Sequence, residues 1–106
     1  MTTPTAYSPK APTRAELDAL PGVTVVEFGT NWCSICQGAQ ASIRQALAPH
    51  AELRHLKIED GPGRPLGRSF KVKLWPTLVL MRDGAEVARV VRPHSAEDIE
   101  DAFASL

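Results

Sequence analysis

The run Val23-Thr24-Val25-Val26-Glu27-Phe28 constrains the fold more than any other stretch of the chain. It has the length of a strand, is rich in β-branched residues, and is apolar at consecutive positions rather than alternate ones. A run of that kind belongs to a strand covered on both faces, as in the middle of a sheet that carries helices on each side. The segments around it supply such helices. Thr13-Arg14-Ala15-Glu16 is a capping box that opens a short helix, which Pro21-Gly22 ends. Ala39, Ile43, Ala46 and Leu47 recur at helical spacing within Gly38 to Leu47, and Pro49 stops that helix. Ser95-Ala96-Glu97-Asp98 opens a last helix with Ile99, Ala102 and Phe103 on one face.

Further strands follow from the same reading. Leu53, Leu56 and Ile58 mark a second buried strand, Thr77 to Met81 a third, and Glu86 to Val91 a fourth that returns through the tight turn Arg82-Asp83-Gly84. Gly61 to Gly67, GPGRPLG, reads as a loop, with a helical turn after it between Ser69 and Leu74. Strand–helix–strand order implies parallel pairing and the closing hairpin antiparallel pairing. The expectation is an α/β fold with a mixed central sheet of four or five strands flanked by helices. Residues 1–12 hold three prolines and read as a flexible, extended N-terminal arm with room for a short edge strand; residues 13–106 form the single domain.

The chain of 106 residues can bury a real core without disulfides. Its formal net charge of zero argues against a nucleic-acid binder. No apolar run approaches the length of a membrane span, and MTTPTAYSPKAPT lacks the marks of a secretory signal. The expected compartment is the cytoplasm, where thiols stay reduced. That setting sharpens the meaning of the chain's two cysteines, Cys33 and Cys36, placed directly after the first strand. A structural zinc site needs four ligands, and His50, His55 and His94 are too scattered to complete one, so no metal is expected. A structural disulfide across two residues closes too short a loop to stabilise much. Redox chemistry fits better. Cys33 falls at the start of a helix, where unpaired N–H groups and the dipole favour an anion, and the thiolate is the reactive form. Cys36 lies one turn on, within disulfide reach and more buried, suited to resolve a mixed disulfide formed by Cys33.

These residues carry a family resemblance. Trp32-Cys33-Ser34-Ile35-Cys36 after VVEF resembles the thioredoxin active site, and Val72-Lys73-Leu74-Trp75-Pro76-Thr77 followed by LVLMRDG resembles that family's second signature, at the family's separation from Cys33. The likeness spans about residues 13 to 106. It implies a thioredoxin fold and a thiol–disulfide oxidoreductase that reduces protein disulfides through a redox-active CxxC centre, serving electron transport and cell redox homeostasis. Pro76 would be the family's cis-proline opposite the cysteines, and the Trp75 backbone would pair with an extended substrate segment, with Trp32 and Thr77 at the same docking site. Glu27 falls where the family has a buried acid behind the second cysteine, thought to relay its proton; a solvent-facing strand position is the alternative. His55 aligns with the family's buried lysine partner of that acid, or else faces solvent. No bound cofactor is implied, since the dithiol carries two electrons. A reductase would supply them, and a monomer is the family's habit.

The departures cluster where partners dock. Ser34-Ile35 replaces Gly-Pro between the cysteines, Ala41 stands where the family's helix carries proline, Gly29 replaces a flanking tryptophan, Trp75 replaces a smaller aliphatic residue, and Arg92 replaces a glycine of the substrate groove. Arg64, Arg68, Lys71, Lys73 and Arg82 surround Pro76 in sequence, while acids gather in the last helix. A basic rim would steer acidic partners; a solvated loop with unrelated charges is the plainer reading. Phe28, Phe70, Phe103, Ile58, Leu78 and Leu80 are the expected core. The rival to an enzyme is a thioredoxin-like module kept for binding or assembly, with an incidental or regulatory cysteine pair.

Overall fold

The computed structural model of the chain describes residues 6–106. Its elements are α1 (Arg14–Asp18), β1 (Val23–Gly29), α2 (Ser34–Leu47), β2 (Arg54–Glu59), α3 (Pro65–Ser69), β3 (Thr77–Arg82), β4 (Ala85–Val91) and α4 (Ala96–Phe103). The sheet runs in the order β2-β1-β3-β4, with β1 parallel to β2 and antiparallel to β3, and β3 antiparallel to β4. This is the mixed sheet flanked by helices that the chain order implied.

The expected elements recur with small shifts, and one was misplaced. The Thr13–Glu16 capping box is formed in both directions. Asp83 and Gly84 both adopt positive φ, 49° and 85°, as a two-residue hairpin turn requires. The exception is α3, which lies inside the segment read as a loop. Pro65 starts it at a position where a missing N–H costs nothing, and Leu66 and Phe70 bury against the sheet. Glycine and proline density hid a helix whose reason to form is tertiary. The expected turn between Ser69 and Leu74 is only the exit from that helix. Of the expected arm, residues 1–5 lie outside the described residues. Beyond them Ser8 makes an isolated parallel bridge with Ile58 at the outer edge of β2.

Side-chain alternation divides the core into two layers and places the site. Val25, Leu78 and Leu80 pack with Ala39, Ile43 and Leu47 of α2 and Ile99 of α4. Val26, Phe28, Ile58, Val79 and Met81 pack on the opposite face with Leu17, Leu66 and Phe70. Phe103 is only half-buried, against the ring of His50. Because successive strand residues point to opposite faces, Glu27 falls on the Val25 face, under α2. By the same rule His55 and Lys57, opposite Leu56 and Ile58 in phase, point to that face from β2. Parallel register sets Val25 beside His55 and Glu27 beside Lys57. Three ionisable residues are thereby gathered beneath one helix.

Candidate active site

Cys33 is the N-cap of α2 and Cys36 belongs to its buried stripe with Ala39, Ile43, Ala46 and Leu47. The Cys33 sulfur accepts a hydrogen bond from the Cys36 backbone N–H at 3.2 Å. Cys33 is half-buried and Cys36 has no exposed surface, so the two thiols differ in access as their positions on the helix demand. Burial, together with a hydrogen bond to Cys33, pushes the Cys36 thiol up to about 11, against smaller opposing hydrogen bonds from the Thr30 backbone and the Tyr7 hydroxyl. Cys36 therefore holds its proton at neutral pH.

Glu27 has no exposed surface, in agreement with the buried reading. Its carboxylate is fully provided with donors. His55 Nε2 lies 2.9 Å from Oε1, and the Gln40 side-chain amide donates to Oε2 at 2.9 Å. The Tyr7 hydroxyl donates to Oε2 through a short hydrogen bond. Burial alone would raise the carboxyl; the hydrogen bonds from His55, Gln40 and Tyr7 and the Lys57 charge outweigh it, and the group titrates below its ordinary 4.5. Lys57 reaches the network by donating to Gln40 Oε1 at 2.6 Å. So His55 pairs with Glu27, and Lys57, absent from the sequence reading, joins on the same face.

The Trp75–Pro76 peptide bond is cis. The Trp75 ring meets Trp32 edge-on at 5.9 Å, which brings this loop against the one that carries Cys33. Trp32 is 72% exposed and so does not belong to the core. Thr77 is buried, its hydroxyl donating to the Leu74 carbonyl. Arg92 adopts φ of 50°, its N–H bonds the Pro76 carbonyl, and its Nε donates to the Trp75 carbonyl at 2.9 Å. The carbonyl expected to meet an extended substrate is already occupied by a side chain. Trp75 also lines a groove of about 610 Å³ with Arg64, Arg68, Lys71 and Lys73, and with Asp60 as its acid. Asp60 accepts from the Trp75 indole N–H at 2.8 Å, and Arg64 pairs with Glu59. Arg68, Lys71 and Lys73 are exposed. The cations that the sequence placed near Pro76 thus share one surface; Arg82 ends β3 at the hairpin and does not line it.

The thioredoxin family model matches residues 11–105. The chain belongs to the thioredoxin family. The structure of thioredoxin 2 from Pseudomonas aeruginosa PAO1 in its reduced form is 61% identical and superimposes with a TM-score of 0.86, covering 95% of this chain and 94% of that one. Thioredoxin of Chlamydia pneumoniae is 33% identical over 72 residues, 66% of this chain and 69% of its own length. The chain spans only half the length of two rice relatives it matches, thioredoxins H2-1 and H2-2 of Oryza sativa subsp. japonica, at 28% and 31% identity.

Two members of this thioredoxin site were invisible to pattern reading. Tyr7 sat in the arm, and Gln40 looked like a polar helix position. Both act across long sequence separations, and neither belongs to the WCxxC or Trp-Pro-Thr stretches that carried the resemblance. One signal was present in Gly29: a tryptophan-sized gap beside the cysteines has to be filled by something.

The depressed carboxyl of Glu27 makes a testable statement about stability. A carboxyl that titrates lower when folded contributes stability above its ordinary pKa and loses it as pH falls through the folded value. In urea unfolding between about pH 5 and pH 3, the wild type should lose stability more steeply than Glu27→Gln. Parallel curves would show that Glu27 is not the group held ionised.

Proposed function

We propose that the protein is a thiol–disulfide oxidoreductase that reduces protein disulfides by cycling Cys33 and Cys36 between dithiol and disulfide. The observation that carries this is the graded pair itself: a half-buried cysteine at a helix N-terminus, and a fully buried one a turn later. In this reading Cys33 attacks a substrate disulfide and forms a mixed disulfide. Cys36 then attacks Cys33 and releases the reduced product, with Glu27 drawing off the Cys36 proton. Electrons come from a reductase, and no bound cofactor takes part. The protein works as a monomer in the cytoplasm, in electron transport and redox homeostasis. The family membership and the 61% identical thioredoxin 2 support the reaction class.

The experiment is a trap. Cys36→Ser should accumulate Cys33-linked mixed disulfides with lysate proteins, and the wild-type pair should show a reduction potential below about −230 mV, in the reductase range. A potential near −180 mV would indicate an oxidant or isomerase. A pair that does not cycle, in a protein that still binds a partner after alkylation, would favour the binding-module reading.

Trp32, Trp75 and Arg92 form the docking surface in this reading, with the buried Pro76 and Thr77 shaping the loop beneath it. For a substrate chain to pair with the Trp75 carbonyl, Arg92 must let go of it, which leaves its guanidinium free beside the docked chain. Such a surface favours acidic residues beside the substrate disulfide. Arg92→Gly should reduce the preference for acid-flanked over neutral peptide disulfides about threefold in kcat/KM, the worth of one partly exposed ion pair. An unchanged ratio would remove Arg92 from substrate selection.

A further inference from the structure

Tyr7 is the buried titratable group that the reaction as written leaves unused. It comes from the arm, yet it is only 4% exposed. Its backbone N–H bonds Asn31 Oδ1 at 2.8 Å, and the neighbouring Ser8 exchanges backbone hydrogen bonds with Lys57 and Glu59 of β2. Lys57 Nζ lies 4.6 Å from the ring centroid. The ring is thus held from the backbone and from its face. Its hydroxyl donates to Glu27 Oε2, accepts from the Gln40 side-chain amide at 3.4 Å and sits with the Cys36 sulfur over Gly29.

Gly29 is what permits this. A Cβ on residue 29 would lie 2.7 Å from the Tyr7 hydroxyl oxygen, 2.7 Å from the ring carbon that bears it and 2.8 Å from the Cys36 sulfur. Any side chain there would push the hydroxyl and the sulfur aside. The glycine that departs from the family pattern and the tyrosine that occupies the space are one device.

We propose that the Tyr7 hydroxyl is the proton conduit between Cys36 and Glu27, taking the thiol proton on its oxygen while passing its own to the carboxylate. This rests on the reading of Cys36 as resolving thiol and Glu27 as proton acceptor. During resolution the Cys36 sulfur attacks Cys33 and the new S–S bond forms. The bond from Cys33 to the substrate sulfur breaks, and the leaving thiolate keeps its electron pair. The Cys36 proton moves to Tyr7 and the Tyr7 proton to Glu27 Oε2, leaving Tyr7 neutral throughout. The reverse transfer reprotonates Cys36 when the disulfide is next reduced.

The energetics favour a concerted relay. Burial, reinforced by the Glu27 charge, raises the Tyr7 hydroxyl far above the usual phenol range, so a free tyrosinate is not an intermediate. A resting thiol would not give its proton to a depressed carboxylate. As the S–S bond forms, however, the sulfur loses its basicity, and the carboxylate becomes the better base before the step is complete. The other titratable groups facing this path are His55 and Lys57 from β2 and Cys33 from the start of α2, and they are the same in a phenylalanine variant.

The test is a single turnover of the reduced protein with one equivalent of an aromatic disulfide that releases a coloured thiolate. The first release reports Cys33 attack and the second reports Cys36 resolution. Tyr7→Phe keeps the ring that fills the Gly29 space and removes only the hydroxyl. It should leave the first phase unchanged, slow the second at least about tenfold and shift its pH profile upward. Combined with Glu27→Gln, it should be no slower than the slower single variant, because both break one path. An unchanged second phase, or effects that multiply in the double variant, would overturn the proposal. Should the variant fold poorly, the wild type decides: its second-phase rate should curve with deuterium fraction, as two protons in flight require, and a linear dependence would refute the relay. If the wild type releases only one thiolate, it is the oxidoreductase reading that fails, not Tyr7's part in it.

Discussion

The ionised carboxylate of Glu27, sealed beneath α2, is the interaction on which the site depends. Removing a carboxylate from water costs several kcal/mol, and the cost is met only when nearly every lone pair finds a donor. Here Tyr7, Gln40 and His55 supply those donors, with Lys57 behind Gln40. Each comes from a different part of the chain: the arm, α2 and β2. The charge can be held out of water only in the finished fold, which ties the site to correct pairing of β1 with β2 and correct seating of α2. His55 Nδ1 is the one atom of the group left buried without a hydrogen-bond partner among the described residues. It makes the histidine side the weaker wall of this network.

Around that centre the chain departs from its family in a coordinated way. Loss of the large side chain at position 29 opens room behind the cysteines, and Tyr7 fills it from the arm. On the outer side, Trp75 and Arg92 replace small groups with large ones, and Arg92 closes over the carbonyl that would greet a substrate. In the proposed reading the inner change serves proton movement and the outer one selects among substrate disulfides. The Trp32–Trp75 contact sets the loop that carries Cys33 against the loop that carries Pro76.

Much of this was legible in the amino acids. A β-branched run apolar on both faces, a Thr–Glu capping box and an Asp-Gly turn are local devices whose partners lie within a few residues, and all three appear where expected. Glu27 was legible as buried, over the solvent-facing alternative, because its neighbours Val25, Val26 and Phe28 are all apolar. Helix α3 was not, because Pro65 and Gly67 disguise a segment that folds only to bury Leu66 against the sheet. Tyr7 was not, because its reason for being buried lies 20 residues away at Glu27. Periodicity cannot report a contact of that separation; only the empty position at Gly29 hinted that something must arrive from elsewhere.

The most direct measurement is a carbon-NMR titration of the Glu27 side-chain carboxyl in the reduced protein, with Glu27→Gln to assign the signal. Glu27 should be a carboxylate at neutral pH and titrate below 4.5 while Cys36 remains a thiol. A Glu27 carboxyl found protonated near neutral pH would contradict it, since an acid that already holds a proton cannot draw one from Cys36.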